Sequence, residues 1–255
     1  MSNYLEDKDL EFLKNCPNED LKVLADLLVF DKDGKKRWNE KLSEKKSYLE
    51  GYPNNLKNAV DDIILELQCY GADTIASAAR EIFGKHPGVP YREILMDVCD
   101  KKKVSYNKAS STERIEFHFI QSIIEETLQK VSDEDILAIA DELGICITGE
   151  ENRDQIIDNI LQKSISPTLY SKMTEIVYSA VVPGAIAGVA GVTSTQLALV
   201  VARIGLPRLV GLAIPAINAF MWGWLIKDIS GPAYRITVPA VVMIINFRQK
   251  MFSLD

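Results

Sequence analysis

With 255 residues, 47% of them hydrophobic and 25% charged, the chain has enough apolar material for one large domain or two modest ones. Its net charge of −7 is unevenly spread: residues 176–255 carry six Lys/Arg against two acids, while residues 1–175 carry 23 bases against 34 acids. The acidic front argues against general nucleic-acid affinity, which needs clustered Lys and Arg to displace counterions, so no nucleic-acid partner is expected. The weakly basic, apolar tail is compatible with anionic lipid.

The N-terminus, MSNYLEDKDLEF, has neither a basic n-region nor an apolar h-region and does not read as a signal peptide. Leu21, Leu24, Leu27 and Leu28 then fall on one helical face. Asp31 and Asp33 before Gly34 hint at a calcium loop, but the following KKRW puts bases where oxygen ligands belong, and the motif is rejected. Ile63, Ile64 and Leu67 mark a second long helix, with Gly71 as its expected stop and Asp73 as cap of a helix through Ile75 and Ala79. HPGVP, residues 86–90, reads as a loop, and Pro90 suits the first turn of a helix through Ile94, Leu95 and Val98. Ser110 or Ser111 is placed to cap a helix carrying Ile115, Phe119, Ile123 and Leu128. Ser132 caps the next, with Asp135 three residues on. Strand signals are almost absent, so the expected fold class is all-α. EDLKVLADLL (19–28) matches EDILAIADEL (134–143) in pattern, each followed by a turn and an expected second amphipathic helix. Either a common helix template is met twice or a helical-hairpin module is duplicated.

Reaction chemistry is scarce. Only His86 and His118 exist; His118 lies between Phe117 and Phe119 on a helix, and neither has a His or Cys at ligand spacing, so no metal site is expected. Cys16, Cys69, Cys99 and Cys146 are far apart and read as reduced thiols of a cytoplasmic protein, most of them small core residues. No Gly-rich phosphate loop, GxSxG or HExxH occurs. No catalytic residue or cofactor is expected, and the protein reads as non-enzymatic.

The informative region is apolar. Ile176–Ala202 is 27 residues without Asp, Glu, Lys, Arg or His and contains VVPGAIAGVAGV, residues 181–192. Gly184 and Gly188 are four apart, as are Ala187 and Gly191, a small-residue face that lets another helix approach closely and offers a route to a homo-oligomer. After RIGLPR (203–208), Leu209–Ile226 is a second uncharged run, containing Gly211 and Pro215 and ending near Trp222 and Trp224. In an antiparallel hairpin Tyr178 and these tryptophans share a level, as an interfacial belt would, with Arg203 and Arg208 at the tip. The third run, Ile236–Phe247, is too short to span and reads as a core or interfacial helix. Against lipid, Pro183, Pro207, Pro215 and Pro239 are expected to divide the region into shorter helices, and a large helical protein needs a central helix that is apolar all round.

YLEDKDLEFLKNCPNEDLKVLADLL at the start, ELQCYGADTIASAAR and YREILMDVC in the middle, and GPAYRITVPAV with Tyr234, Arg235 and Pro239 near the end resemble the bacterial YaaW family over nearly the whole chain. The resemblance implies a distant grouping with ubiquinol–cytochrome c chaperones, helical proteins that help a membrane-embedded cytochrome mature; it supplies no catalytic residues.

The expectation is a multi-helix globular protein with an acidic amphipathic region, 1–170, and an apolar C-terminal unit, 171–255, bearing a Gly/Ala/Pro-rich helical hairpin. The leading functional reading is a cytoplasmic protein that engages the inner membrane, by lipid or a membrane-protein partner, through a sequestered hairpin at 181–226, as a stress or phage-defence effector. The alternative is a soluble helical chaperone or adaptor whose apolar unit is simply its core.

Overall fold

The computed structural model describes residues 5–74, 88–186, 231 and 233–252. Among these the chain is all-α. The helices are α1 (Asn18–Val29), α2 (Lys46–Gly51), α3 (Val60–Thr74), α4 (Tyr91–Lys102), α5 (Thr112–Lys130), α6 (Asp133–Glu142), α7 (Arg153–Lys163), α8 (Pro167–Ile186) and α9 (Tyr234–Phe252). Short 3₁₀ turns at Glu11–Asn15, Leu42–Glu44 and Lys57–Ala59 link them. The one extended pairing among the described residues is an isolated antiparallel bridge between Phe30 and Lys36.

Local chemistry sets most boundaries. Ser111 caps α5 by accepting from the Arg114 amide, and Ser132 with Asp135 forms a reciprocal capping box at α6. A second box, Asn152 with Gln155, starts α7. Pro90 sits at the N-cap of α4, one residue earlier than expected. Gly71 does not stop α3, and Asp73 lies inside that helix. A Cβ at Gly71 would fall 2.4 Å from Ile94 Cγ1, so the glycine lets α3 lie close against α4. The helix expected through Ile75 and Ala79 falls outside the described residues.

The faint repeat ends with its first helix. EDILAIADEL is followed by a true second helix, α7, but EDLKVLADLL is followed by the bridged turn and a 3₁₀ turn. Asp31 explains the difference: its Oδ1 accepts from the amides of Asp33 and Lys35, and Gly34 takes φ +73°, so the segment reverses direction.

The centre of the molecule is α9. Every residue from Ile236 to Arg248 is buried. The helix packs most extensively on α8 and also meets α1, α3, α4 and the first 3₁₀ turn. Of the two readings of Ile236–Phe247, core or interfacial helix, the burial of every residue fits the core. Pro183 and Pro239 lie inside α8 and α9 and divide neither; each removes one backbone donor, which the dense packing around these helices tolerates. The compositional boundary at 170/171 falls within α8. Tyr178 is 2% exposed, its ring 6.0 Å from that of Phe247, so it belongs to the core and not to an interfacial belt. The first eleven residues of the uncharged run, Ile176–Ile186, are accordingly part of a packed helix, mostly buried.

Candidate functional site

The two ends of α9 are built differently. Near its C-terminal end, Arg248 is 5% exposed and Glu116, on α5, 1% exposed. Glu116 Oε1 accepts from the Tyr91 hydroxyl at 2.8 Å and from Arg248 Nε at 3.3 Å; Oε2 lies 3.2 Å from the same nitrogen without accepting a hydrogen bond. Arg248 Nη2 donates to the Asp9 carbonyl at 2.6 Å, and its guanidinium sits 4.7 Å from the Phe12 ring centroid. The N-terminal segment is tied in by further bonds. Asp7 Oδ2 accepts from the Tyr91 amide at 2.6 Å, Asp9 Oδ2 from the Thr112 hydroxyl at 2.8 Å, and Gln68 bonds the amide and carbonyl of Leu5. Burial pushes Glu116 up to about 7, against the pull of Arg248, and burial raises the Tyr91 phenol. Such a mutually bonded cluster clamps the N-terminal segment, α3, α4, α5 and α9 together.

The N-terminal end of α9 opens into a cleft of about 730 Å³. One wall is the turn after α1, bearing Asp31, Lys35, Lys36, Arg37 and Trp38; the others are the end of α3 with Tyr70, Asp73 and Thr74, and Gly231, Ala233, Tyr234 and Ile236 at the start of α9. Two lining groups finish α1: Arg37 Nε donates to the Leu27 carbonyl and the Tyr70 hydroxyl to the Leu28 carbonyl, satisfying acceptors the helix leaves open. Lys36 Nζ donates to Ser43 Oγ. Asp31 is occupied by the turn, the Lys35 amide foremost in holding its carboxyl below the usual range. The Tyr234 hydroxyl is pushed up to about 12 by burial and by Asp97, and Lys101 Nζ stands 5.2 Å from its ring centroid. Trp38 is 97% exposed. A surface on which three bases and aromatic rings outnumber Asp31 and Asp73 can bind an anionic or interfacial ligand; among its described residues it holds no paired nucleophile and base.

Of the residues expected from sequence, Tyr234 lines the cleft, Arg235 is exposed beside it, and Pro239 is in the core. Pro183 and Gly184 are half-buried near the end of α8. Gly188, Gly191, Arg203, Arg208, Gly211, Pro215, Trp222 and Trp224 lie outside the described residues, as does His86. His118 is half-buried with its ring 5.8 Å from Phe117, and burial, then Arg114, lowers its pKa. Cys16 and Cys99 are buried, with thiols raised to about 12 by burial; Cys69 is half-buried and Cys146 exposed. No group of three His, Cys, Asp or Glu among the described residues is placed to hold a metal ion. Sequence reasoning missed Trp38 and the clamp. Glu116 carried a usable signal, because it shares its helical face with Phe119, Ile120 and Ile123.

The chain is 37% identical over 264 positions to a UPF0174 protein of Helicobacter pylori strain J99, covering 97% of this chain and 93% of that relative. It belongs to the UPF0174 family. The UPF0174 protein YaaW of Escherichia coli K12 is 31% identical over 251 positions, 97% of this chain and 96% of its own. A further UPF0174 protein, from H. pylori strain 26695, is 32% identical over 84% of this chain and 98% of its own. Residues 4–38 match a family described as a domain of unknown function, DUF3944. That stretch contains both Asp7 and Asp9 of the clamp and the Lys35–Trp38 wall of the cleft. No solved structure matches the chain. These matches establish UPF0174 membership; they do not show the grouping with ubiquinol–cytochrome c chaperones.

Proposed function

We propose that this UPF0174 protein is a non-enzymatic, cytoplasmic helical protein that engages the inner membrane through the part of the 181–226 hairpin region that lies between α8 and α9, whose runs 187–202 and 209–226 are uncharged. The observation behind this reading is the anchoring of that stretch. Its flanking helices, α8 and α9, form the most extensive helix pair of the body, so residues 187–230 leave from and return to one packed core. Within the stretch, 187–202 and 209–226 carry no ionisable side chain. No helix of the described residues is long and apolar enough to cross a membrane. A stress- or phage-defence role has no supporting observation among the described residues and is not part of the proposal.

One observation favours the second reading, a helical chaperone or adaptor with the whole apolar unit as core: Ile176–Ile186, the start of the uncharged run, is already core. Membrane fractionation of the untagged protein separates the two. Recovery in the membrane fraction, reduced when Leu212 and Ile217 are both replaced by Asp, supports membrane engagement, because an acid at mid-depth costs about 2.5–3.5 kcal/mol. A parent found wholly in the supernatant supports the adaptor.

A further inference from the structure

We infer that the turn Lys35–Trp38, with the cleft it walls, is a docking surface for an anionic bilayer, seating phosphate-bearing headgroups beside Trp38. The inference rests on the membrane reading and adds a surface that the uncharged stretch does not contain.

Charge is the first support. The turn DKDGKKR, residues 31–37, holds four bases and two acids, inside a front region, 1–175, whose acids outnumber its bases by eleven. Of the two acids, Asp31 has its carboxylate bonded into the turn, and Asp33 lies 3.9 Å from Lys32. Lys35, Lys36 and Arg37 are left as a basic island on a body that anionic lipid otherwise repels.

Trp38 is the second support. The chain has three tryptophans, and the other two, Trp222 and Trp224, are in the uncharged stretch. Trp38 is 97% exposed and adjoins the bases. An indole left in water is costly apolar surface in a globular body, whereas at a bilayer interface its apolar ring and polar N–H are both satisfied.

Position is the third. Another wall of the cleft is formed by Gly231, Ala233, Tyr234 and Ile236, at the start of α9, where the chain enters the core. Docking at Lys35–Trp38 therefore sets the start of α9 beside the headgroup layer. The turn is pinned by the Phe30–Lys36 bridge and by Arg37 on the Leu27 carbonyl, so little ordering is needed on binding.

The test is flotation of the full-length protein with vesicles of phosphatidylcholine alone or mixed equally with phosphatidylglycerol. The parent should float with the mixed vesicles. Lys35→Gln with Lys36→Gln should weaken partitioning about fivefold for each base removed. Trp38→Ala should weaken it about tenfold. Lys35→Arg with Lys36→Arg should float like the parent, and all variants should melt like it. Inorganic phosphate at matched ionic strength should not displace the parent. Variants that float like the parent overturn this docking surface and leave engagement through the uncharged stretch standing. Displacement by phosphate shows a site for a soluble anion and overturns the bilayer assignment. A parent that floats with neither vesicle overturns both this inference and the membrane reading.

Discussion

One helix, α9, shows two ways of ending. Near its C-terminus Arg248 is sealed among Glu116, Tyr91 and the Asp9 carbonyl, and the N-terminal segment is strapped across it. At its N-terminus the same helix borders an open cleft of bases and aromatic rings with a bare tryptophan on its rim. The difference separates charge that holds the fold from charge that faces solvent. Charge buried against its counter-charge fixes the architecture, and charge beside exposed aromatic surface is open to solvent.

The comparison breaks most severely if the sealed end is opened. Arg248→Ala leaves Glu116 buried without its counter-charge, which should cost about 3–5 kcal/mol in chemical denaturation. Glu116→Gln keeps the acceptor for Tyr91 but leaves the buried guanidinium without its counter-charge, so a comparable loss is expected. A loss confined to Arg248→Ala would show that Arg248 acts by packing on Phe12 and not by charge.

Gly88→Ala should come next. A Cβ there would stand 2.5 Å from Gln68 Cβ and 2.9 Å from its backbone carbon, and Gln68 is the residue that holds Leu5. A loss of about 1–3 kcal/mol is expected, read as a lower melting temperature.

The sealed end should also report pH. Glu116 has a folded pKa of about 7 against an ordinary 4.5, so between these values the folded state binds more protons than the unfolded. The stability contributed by this group is therefore complete below about 4.5 and is lost as pH rises through about 7. The parent's stability minus that of Glu116→Gln should fall across this window. A difference that stays flat would place the carboxyl's ionisation elsewhere.

The smallest effect belongs to the open end. Lys35→Gln with Lys36→Gln should change stability by no more than about 0.5 kcal/mol, while weakening association with anionic vesicles. A large loss of stability would mean that these lysines support the fold.

Much of the fold was legible because local chemistry decides it. Ser111 and Ser132 cap the helices their positions suggest, and the leucine and isoleucine spacing of α1, α3 and α5 marks their buried faces. What was hidden depends on neighbours distant in sequence. Gly71 reads as a stop until Ile94 is seen against it. Pro239 reads as a break until the surrounding helices are in place, and Tyr178 reads as an interfacial ring until Phe247 meets it. The candidate site was half legible. Tyr234 and Arg235 lay in a distinctive motif, but the KKRW turn was weighed only as a failed calcium loop, because its exposure is a tertiary property.

Hydrogen exchange of the full-length protein, with and without vesicles containing phosphatidylglycerol, tests the central contrast most directly. Amides of 236–248 should exchange slowly and equally in both conditions, while vesicles should slow exchange at 35–39 and in 187–226. Unchanged exchange at both of those segments, or faster exchange in 236–248 on adding vesicles, would contradict an architecture sealed at one end of α9 and lipid-facing at the other.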